Sequence, residues 1–515
     1  MSTAPAWDVI VIGSGIGGLV TASQLAAKGA SVLVLERYLI PGGSGGSFQR
    51  AGYTFDVGAS MIFGFGQKGH TNLLTRALAD VGEHCETVPD AVQLEYHLPG
   101  HLNVAVDRDY DSFVERLSAL FPHEAKGIRA FYDTCWQVFR CLDAMPLLSL
   151  EDPAYLSKVF FRAPLACLGL ARWLPFNVGD VARRHISDPQ LLQFIDMECF
   201  CWSVMPADLT PMINAGMVFS DRHAGGINYP KGGVGTIARK LVSGLMRHGG
   251  QIRYKSRVTR VLFEGQRATG VELANGECLT ARRVVSNATR WDTFSGEGSA
   301  PTPLVDAAHT PAREGRWRRR YKASPSFLSL HLGIDAAIVP DGMHCHHLLL
   351  EDWQAMEDEQ GVIFVSMPSL LDPDLAPANR QILHCFTPSA MEPWQGLSPS
   401  AYRVKKEADA DRLIQRLEAL LLPGLSGAIH HREVGTPRSH RRFLGRHNGS
   451  YGPIPALRLP GLLPMPFNRS GVEGLYCVGD SCFPGQGLNA VAFSGFACAH
   501  RIGADLGLNP WALPA

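Results

Sequence analysis

Gly13, Gly15 and Gly18 stand in the order G-x-G-x-x-G, and a carboxylate, Glu36, follows about 20 residues on, the spacing of a dinucleotide site. Gly13 permits the tight turn, Gly15 lets a pyrophosphate come close to the backbone, and Gly18 lets a helix pack tightly on its strand. The free N–H groups of that helix start, with the positive end of its dipole, attract phosphate. Glu36 is suited to accept a hydrogen bond from a ribose 2′-OH. A carboxylate rather than an arginine there argues against an NADP 2′-phosphate. A glycine-rich turn without a ligand is the alternative.

The elements that must position these residues are local. Trp7-Asp8-Val9-Ile10-Val11-Ile12 is short, β-branched and closed by glycine, as a buried parallel strand would be. Leu19, Ala22, Leu25 and Ala26 give the following helix its apolar stripe, and Gly29 falls where a helix-ending glycine belongs. Residues 31–35 form the second strand, ending at Glu36.

The same glycine-rich texture returns at distant points. Arg37 is followed by Gly42, Gly43 and Ser44 within a run too rich in glycine for regular structure, which suggests backbone laid against a flat ligand. Gly52 to Ser60 reads as a strand and turn returning to that site. Tyr229-Pro230-Lys231-Gly232-Gly233-Val234-Gly235 precedes a helix over 236–246. The short alternating runs beyond it, with Val258 early in one of them, read as a small sheet of the nucleotide domain that passes beside an adenine. Near the end, a strand finishes at Gly479-Asp480, and Gly487 precedes a helix over 493–506. There Asp480 is suited to a ribityl hydroxyl, and the helix dipole to charge on a reduced isoalloxazine. The fold class is therefore α/β: a discontinuous, Rossmann-like dinucleotide-binding domain with an inserted α+β substrate domain. The expected division is 1–71, 225–290 and 466–515 for the nucleotide domain, with 72–224 and 291–465 for the other.

Asp196 and Glu198 lie among apolar neighbours and are the candidate proton donors; hydrogen-bonded structural acids are the alternative. His344-Cys345-His346-His347 invites a metal reading. Adjacent residues on a strand alternate in direction and do not converge, so no metal site is expected.

The 515 residues carry zero formal net charge, with 19 % charged and 46 % hydrophobic side chains, so no nucleic-acid partner is expected. The 12 cysteines are scattered and make no disulfide framework, which suits a reducing compartment. The N-terminus reaches the first strand at once, with neither a secretory nor a transit pattern; a cytosolic, prokaryotic or mature form is expected. Residues 155–178 are strongly apolar but broken by Lys158, Arg162, Pro164, Arg172 and Pro175. They suit either a helix lying in a membrane interface or a pair of core helices.

Glycine motifs spread from end to end resemble the phytoene desaturase and flavin amine oxidase superfamily, whose first Rossmann unit, central segment and C-terminal Gly-Asp motif jointly hold FAD. Within it, Glu36-Arg37-Tyr38-Leu39-Ile40-Pro41-Gly42-Gly43-Ser44, Phe55-Asp56-Val57-Gly58-Ala59-Ser60-Met61-Ile62, Phe194-Ile195-Asp196-Met197-Glu198-Cys199, Met217-Val218-Phe219-Ser220-Asp221-Arg222-His223 and the 229–235 motif resemble carotenoid isomerases of cyanobacteria and plants. Ser44 departs from the wider superfamily, where many members have arginine after the Gly-Gly pair. The resemblance implies cis-trans isomerisation of poly-cis lycopene to the all-trans form, with reduced FAD and no net redox change. It also implies an apolar substrate slot and peripheral attachment to the cytoplasmic side of a thylakoid or cell membrane. A carotenoid desaturase, a retinol saturase-like reductase and a non-catalytic lipid-binding escort share the nucleotide motifs and stand as alternatives.

Overall fold

The computed structural model describes residues 6–58 and 60–508; the first five residues, the last seven and Ala59, part of the quoted 55–62 segment, lie outside the described residues. Two seven-stranded sheets organise the chain. In the first, the strand Trp7–Ile12 is central. It pairs in parallel with Val32–Leu35 on one side and with Cys278–Ser286 on the other. Gln251–Arg253 extends the sheet beyond Val32–Leu35, and Leu475–Cys477 adds to it beyond Cys278–Ser286. Val258–Glu264 and Arg267–Leu273 run antiparallel into the start of Cys278–Ser286 as a meander. Val9, Ile10 and Val11 are fully buried on both faces, as a parallel strand with covered faces requires. This is the α/β, Rossmann-like arrangement expected from the glycine motifs.

The helix Ile16–Ala27 follows the first strand and packs on the C-terminal helix Leu488–Leu506. Small residues allow the approach: a Cβ at Gly495 would sit 2.7 Å from Val20 Cβ and 2.8 Å from the Gly17 carbonyl oxygen. The C-terminal helix begins at Leu488, five residues before the expected 493, because Gly487, at φ 107°, turns the chain directly into it.

The second sheet runs in the order Ile429–Gly435, Ser326–Asp335, Arg380–Ser389, Val362–Ser366, His346–Leu350, Val92–Leu98 and Leu102–Asp107. The last two strands form a hairpin inside a region that composition alone marks as helical. Val92, Leu94, Tyr96 and Leu98 alternate as a strand requires, with Pro99 and Gly100 at the turn. One face of this sheet packs on Tyr110–Leu120, Ala125–Asp143, Pro189–Ser203 and Met212–Ala224 in the largest apolar cluster. The other carries the amphipathic helix Pro399–Leu420 through Leu413, Ile414 and Leu417. All 12 cysteines are free.

Candidate functional site

Between the two sheets lies a cavity of about 690 Å³, in the range of sites for large organic ligands. Residues remote in sequence line it: 12–17, 35–38, 42–45, 256–258, 287–289, 479–480 and 486–488. A Cβ at Gly17 would meet Gly479 Cα at 3.2 Å, so the first glycine turn and the terminal Gly-Asp turn touch. The Gly42 N–H donates to the Ser14 carbonyl at 2.8 Å, and Gly42, at φ 107°, has no room for a side chain: its Cβ would stand 2.8 Å from the Gly45 oxygen. Two bare backbone segments thus form one wall. The N-terminal ends of the helices Ile16–Ala27 and Leu488–Leu506 both open onto the cavity at Gly15 and Gly487.

Glu36 is buried at the cavity edge. One of its oxygens accepts from the Ser14 N–H at 2.9 Å and the Ser14 hydroxyl at 2.6 Å; the other accepts from the Tyr38 N–H at 2.7 Å. Arg37 lines the same end, its guanidinium donating to the Arg442 carbonyl at 2.9 Å; burial, then the neighbouring Arg257, draws its pKa down. Gly13, Gly15, Gly42, Gly43, Ser44, Val258, Asp480 and Gly487 also line the cavity. Gly18 does not; its Cβ would strike the Gly13 oxygen at 2.7 Å, so its work is in helix–strand packing.

Opposite the glycine wall, the second sheet contributes Phe327, Ser329, His331, His384 and Phe386, and the helical side contributes Cys201, Trp202 and Val204. His331 and His384 stack with ring centroids 4.4 Å apart. The His331 Nε2 lies 2.9 Å from the Asp56 carbonyl, and burial pushes its pKa down to about 4. Both His384 nitrogens lack a partner, and burial followed by His331 holds that ring neutral.

A model of the flavin containing amine oxidoreductase family matches residues 16–503. The chain belongs to that family, among its carotenoid isomerases. It is 54 % identical over 504 residues to the chloroplastic prolycopene isomerase of Arabidopsis thaliana, covering 98 % of this chain and 84 % of that one. It is also 54 % identical to prolycopene isomerase 1 of an Oncidium hybrid cultivar, covering 98 % and 85 %. An oxidoreductase from Methanosarcina mazei shares the fold at TM-score 0.60 and 18 % identity, over 95 % of this chain and 99 % of that one. For a flavin enzyme of this family the cradle fits its cofactor: bare glycine backbone and two helix N-termini suit a pyrophosphate, and Glu36 and Asp480 suit polyol hydroxyls.

Besides Gly18, three expected site residues sit elsewhere. Ser60 is buried outside the cavity, its hydroxyl donating to Asp56 Oδ2 at 3.0 Å. The same carboxylate gathers Ser47, Tyr229 and the Val234 N–H, so Ser60 is spent on a structural hub. Glu198 does not face the cavity either. It is sealed against Arg222 at 2.6 Å and takes the Tyr132 hydroxyl on its other oxygen. A carboxylate so bound is the counter-ion of Arg222, not a free proton donor. Asp196, its pKa raised by burial, accepts the Ala207 N–H at 2.8 Å and caps a turn outside the cavity.

Sequence reasoning missed several contributors besides the five from the second sheet. Asn287, Arg446 and Tyr451 line the cavity, and Gln486 stands beside them. Arg446 pairs with Asp480, and Tyr451 O–H lies 3.1 Å from His440 Nδ1. The one signal available was Asn287 itself, a polar residue directly after the buried strand Cys278–Ser286.

Proposed function

We propose that this chain converts poly-cis lycopene to all-trans-lycopene, using FAD in its reduced form without net redox change. The observation that carries the reading is identity of 54 % over nearly the whole chain to prolycopene isomerases, on a cradle whose parts match a flavin. In this reading Gly13, Gly15, Glu36, Arg37, Gly42, Gly43, Ser44, Val258, Asp480 and Gly487 hold the FAD, and Gly18 packs the helix that presents them.

A bound reduced flavin supplies electron density that lowers the bond order of a conjugated chain, which is what rotation about a C=C bond needs. The protein's own part is to hold the polyene beside the cofactor and to exclude water. Phe327, Phe386, Trp202 and Val204 offer an apolar wall for a hydrocarbon that presents no hydrogen-bonding group. His331 and His384 stay neutral and bring no charge to that wall.

A carotenoid substrate resides in a bilayer, and the enzyme is proposed to dock on one. Residues 155–178 fold as Pro153–Arg162 and Pro164–Ala171, bent by 108°; among the described residues no single helix is long and apolar enough to cross a membrane. Phe161 is 80 % exposed and Leu165 84 %, beside Lys158 and Arg172. That combination suits an interface-lying surface better than a core pair.

The test is anaerobic incubation with poly-cis lycopene, with FAD first reduced and then oxidised, followed by chromatography. All-trans product only under reduced FAD, with the double-bond count unchanged, supports the reading. Added or removed double bonds point instead to a desaturase or a reductase.

A further inference from the structure

Asp90, Cys345 and His346 meet in the interior, outside the flavin cavity. Each brings one ligand atom, and all three atoms lie within 4.8 Å of one another. The residues are only 6 %, 3 % and 0 % exposed. Their convergence escapes strand alternation because Cys345 stands just before the strand His346–Leu350, and Asp90 arrives from the end of Thr87–Pro89. Two buried polar atoms in the group have no hydrogen-bond partner: Asp90 Oδ2 and His346 Nε2. Such orphans demand a partner. His346 Nδ1 lies 2.9 Å from the Ser366 hydroxyl, a contact that fixes the ring and leaves Nε2 as its unpaired nitrogen.

The geometry points to a structural site for a divalent, borderline-soft cation of the Zn²⁺ class, held by Asp90, Cys345 and His346. The donor set is the argument. Carboxylate, thiolate and imidazole together are zinc chemistry; a thiolate disfavours Ca²⁺ and Mg²⁺. One carboxylate and one thiolate cancel a double positive charge, so the loaded site is neutral, as a buried site should be.

A second group, Glu95, His97 and His347, offers a useful contrast. There His97 Nε2 and His347 Nδ1 lie 3.1 Å apart, and His347 Nε2 meets the His344 carbonyl at 3.0 Å. The rings satisfy each other and leave no atom that requires an ion.

The ion would join two parts of the cradle's support. Thr87–Pro89 pairs with Asn228–Pro230, and the adjoining Tyr229 hydroxyl and Val234 N–H bond Asp56 behind the glycine loops. His346 opens a strand of the substrate sheet. A metal at Asp90 would clamp these together.

Because the site is buried, the metal must be offered during folding. The full chain is expressed with Zn²⁺, and separately with Co²⁺, then purified with its flavin, treated with a chelator and assayed for metal by mass spectrometry. Wild type should retain one ion per chain, and the Co²⁺ form should show tetrahedral ligand-field bands at wavelengths beyond the flavin's absorption. C345S should lose metal by about tenfold or more and lose the thiolate-to-cobalt band, whereas H347Q should keep both. Flavin content reports whether each variant has folded. Wild type without a stoichiometric ion, or C345S with as much as wild type, overturns the site.

Discussion

The side-chain oxygen of Asn287 accepts the backbone N–H of Gly18 at 3.2 Å, while its amide donates to the Val478 carbonyl at 3.1 Å. One side chain at the end of Cys278–Ser286 therefore ties the first glycine turn to the terminal Gly-Asp turn, the two halves of the cradle. Asn287→Ala removes both bonds and should cost about 1–3 kcal/mol of stability. Thermal unfolding reads that loss, and flavin retained through gel filtration should fall with it. A variant as stable and as yellow as wild type would show that the cradle does not depend on this tie.

Glu198→Gln separates a structural role from a chemical one. The partner Arg222 is buried and stacks on Phe113 at 4.7 Å; burial pulls its pKa down, and Glu198 together with Tyr132 and Tyr96 more than offsets that pull. Removing the carboxylate charge leaves a buried cation and should destabilise the chain by about 3–5 kcal/mol. Turnover per flavin-loaded molecule should hold near the wild-type value. A stable variant with lost turnover would return Glu198 to the chemistry.

Buried histidines set the response to acid. Burial pushes His331 down to about 4 and His223 and His440 down to about 3, and it lowers His384 further, from an ordinary value of 6.5. Between pH 6.5 and 4 the unfolded chain takes up these protons and the folded chain does not, so stability falls as pH falls. Each group contributes at most about 1.4 kcal/mol per pH unit. Acids raised by burial, among them Asp56, Asp90 (to about 6) and Asp221 (to about 7), act in the opposite sense, but His346 and His347, pushed down to about 3 and about 4, add to the histidines and keep them the larger group. Denaturant midpoints should decline from pH 6.5 to pH 4. A flat or rising profile would contradict the neutral histidine wall.

Phe161 and Leu165 test the docking face. Replacing both with serine on so exposed a surface should leave the unfolding temperature almost unchanged. Co-sedimentation with phospholipid vesicles should drop sharply, together with turnover of vesicle-borne substrate. Undiminished vesicle binding would place the attachment elsewhere.

The nucleotide half of the fold was legible because its chemistry is local: Gly13, Gly15, Gly18 and Glu36 declare themselves within one strand–helix–strand unit. The hairpin of Val92–Leu98 and Leu102–Asp107 carried a clear alternation that the helix-rich composition around it obscured. Tertiary partners were not legible at all. Arg222 reaches Glu198 from a neighbouring helix, Arg446 reaches Asp480 from a distant loop, and Asp90 meets His346 across separate strands. No periodicity encodes such meetings, so an acid among apolar neighbours read as a proton donor when it was a counter-ion.

The most direct measurement follows the flavin itself during turnover. Enzyme loaded with reduced FAD is given a large excess of poly-cis lycopene under strict anaerobiosis, with the flavin spectrum and the product recorded together. All-trans-lycopene of unchanged mass should accumulate over many turnovers while the flavin stays reduced. Flavin oxidised in step with product, or a product differing in hydrogen count, would contradict isomerisation.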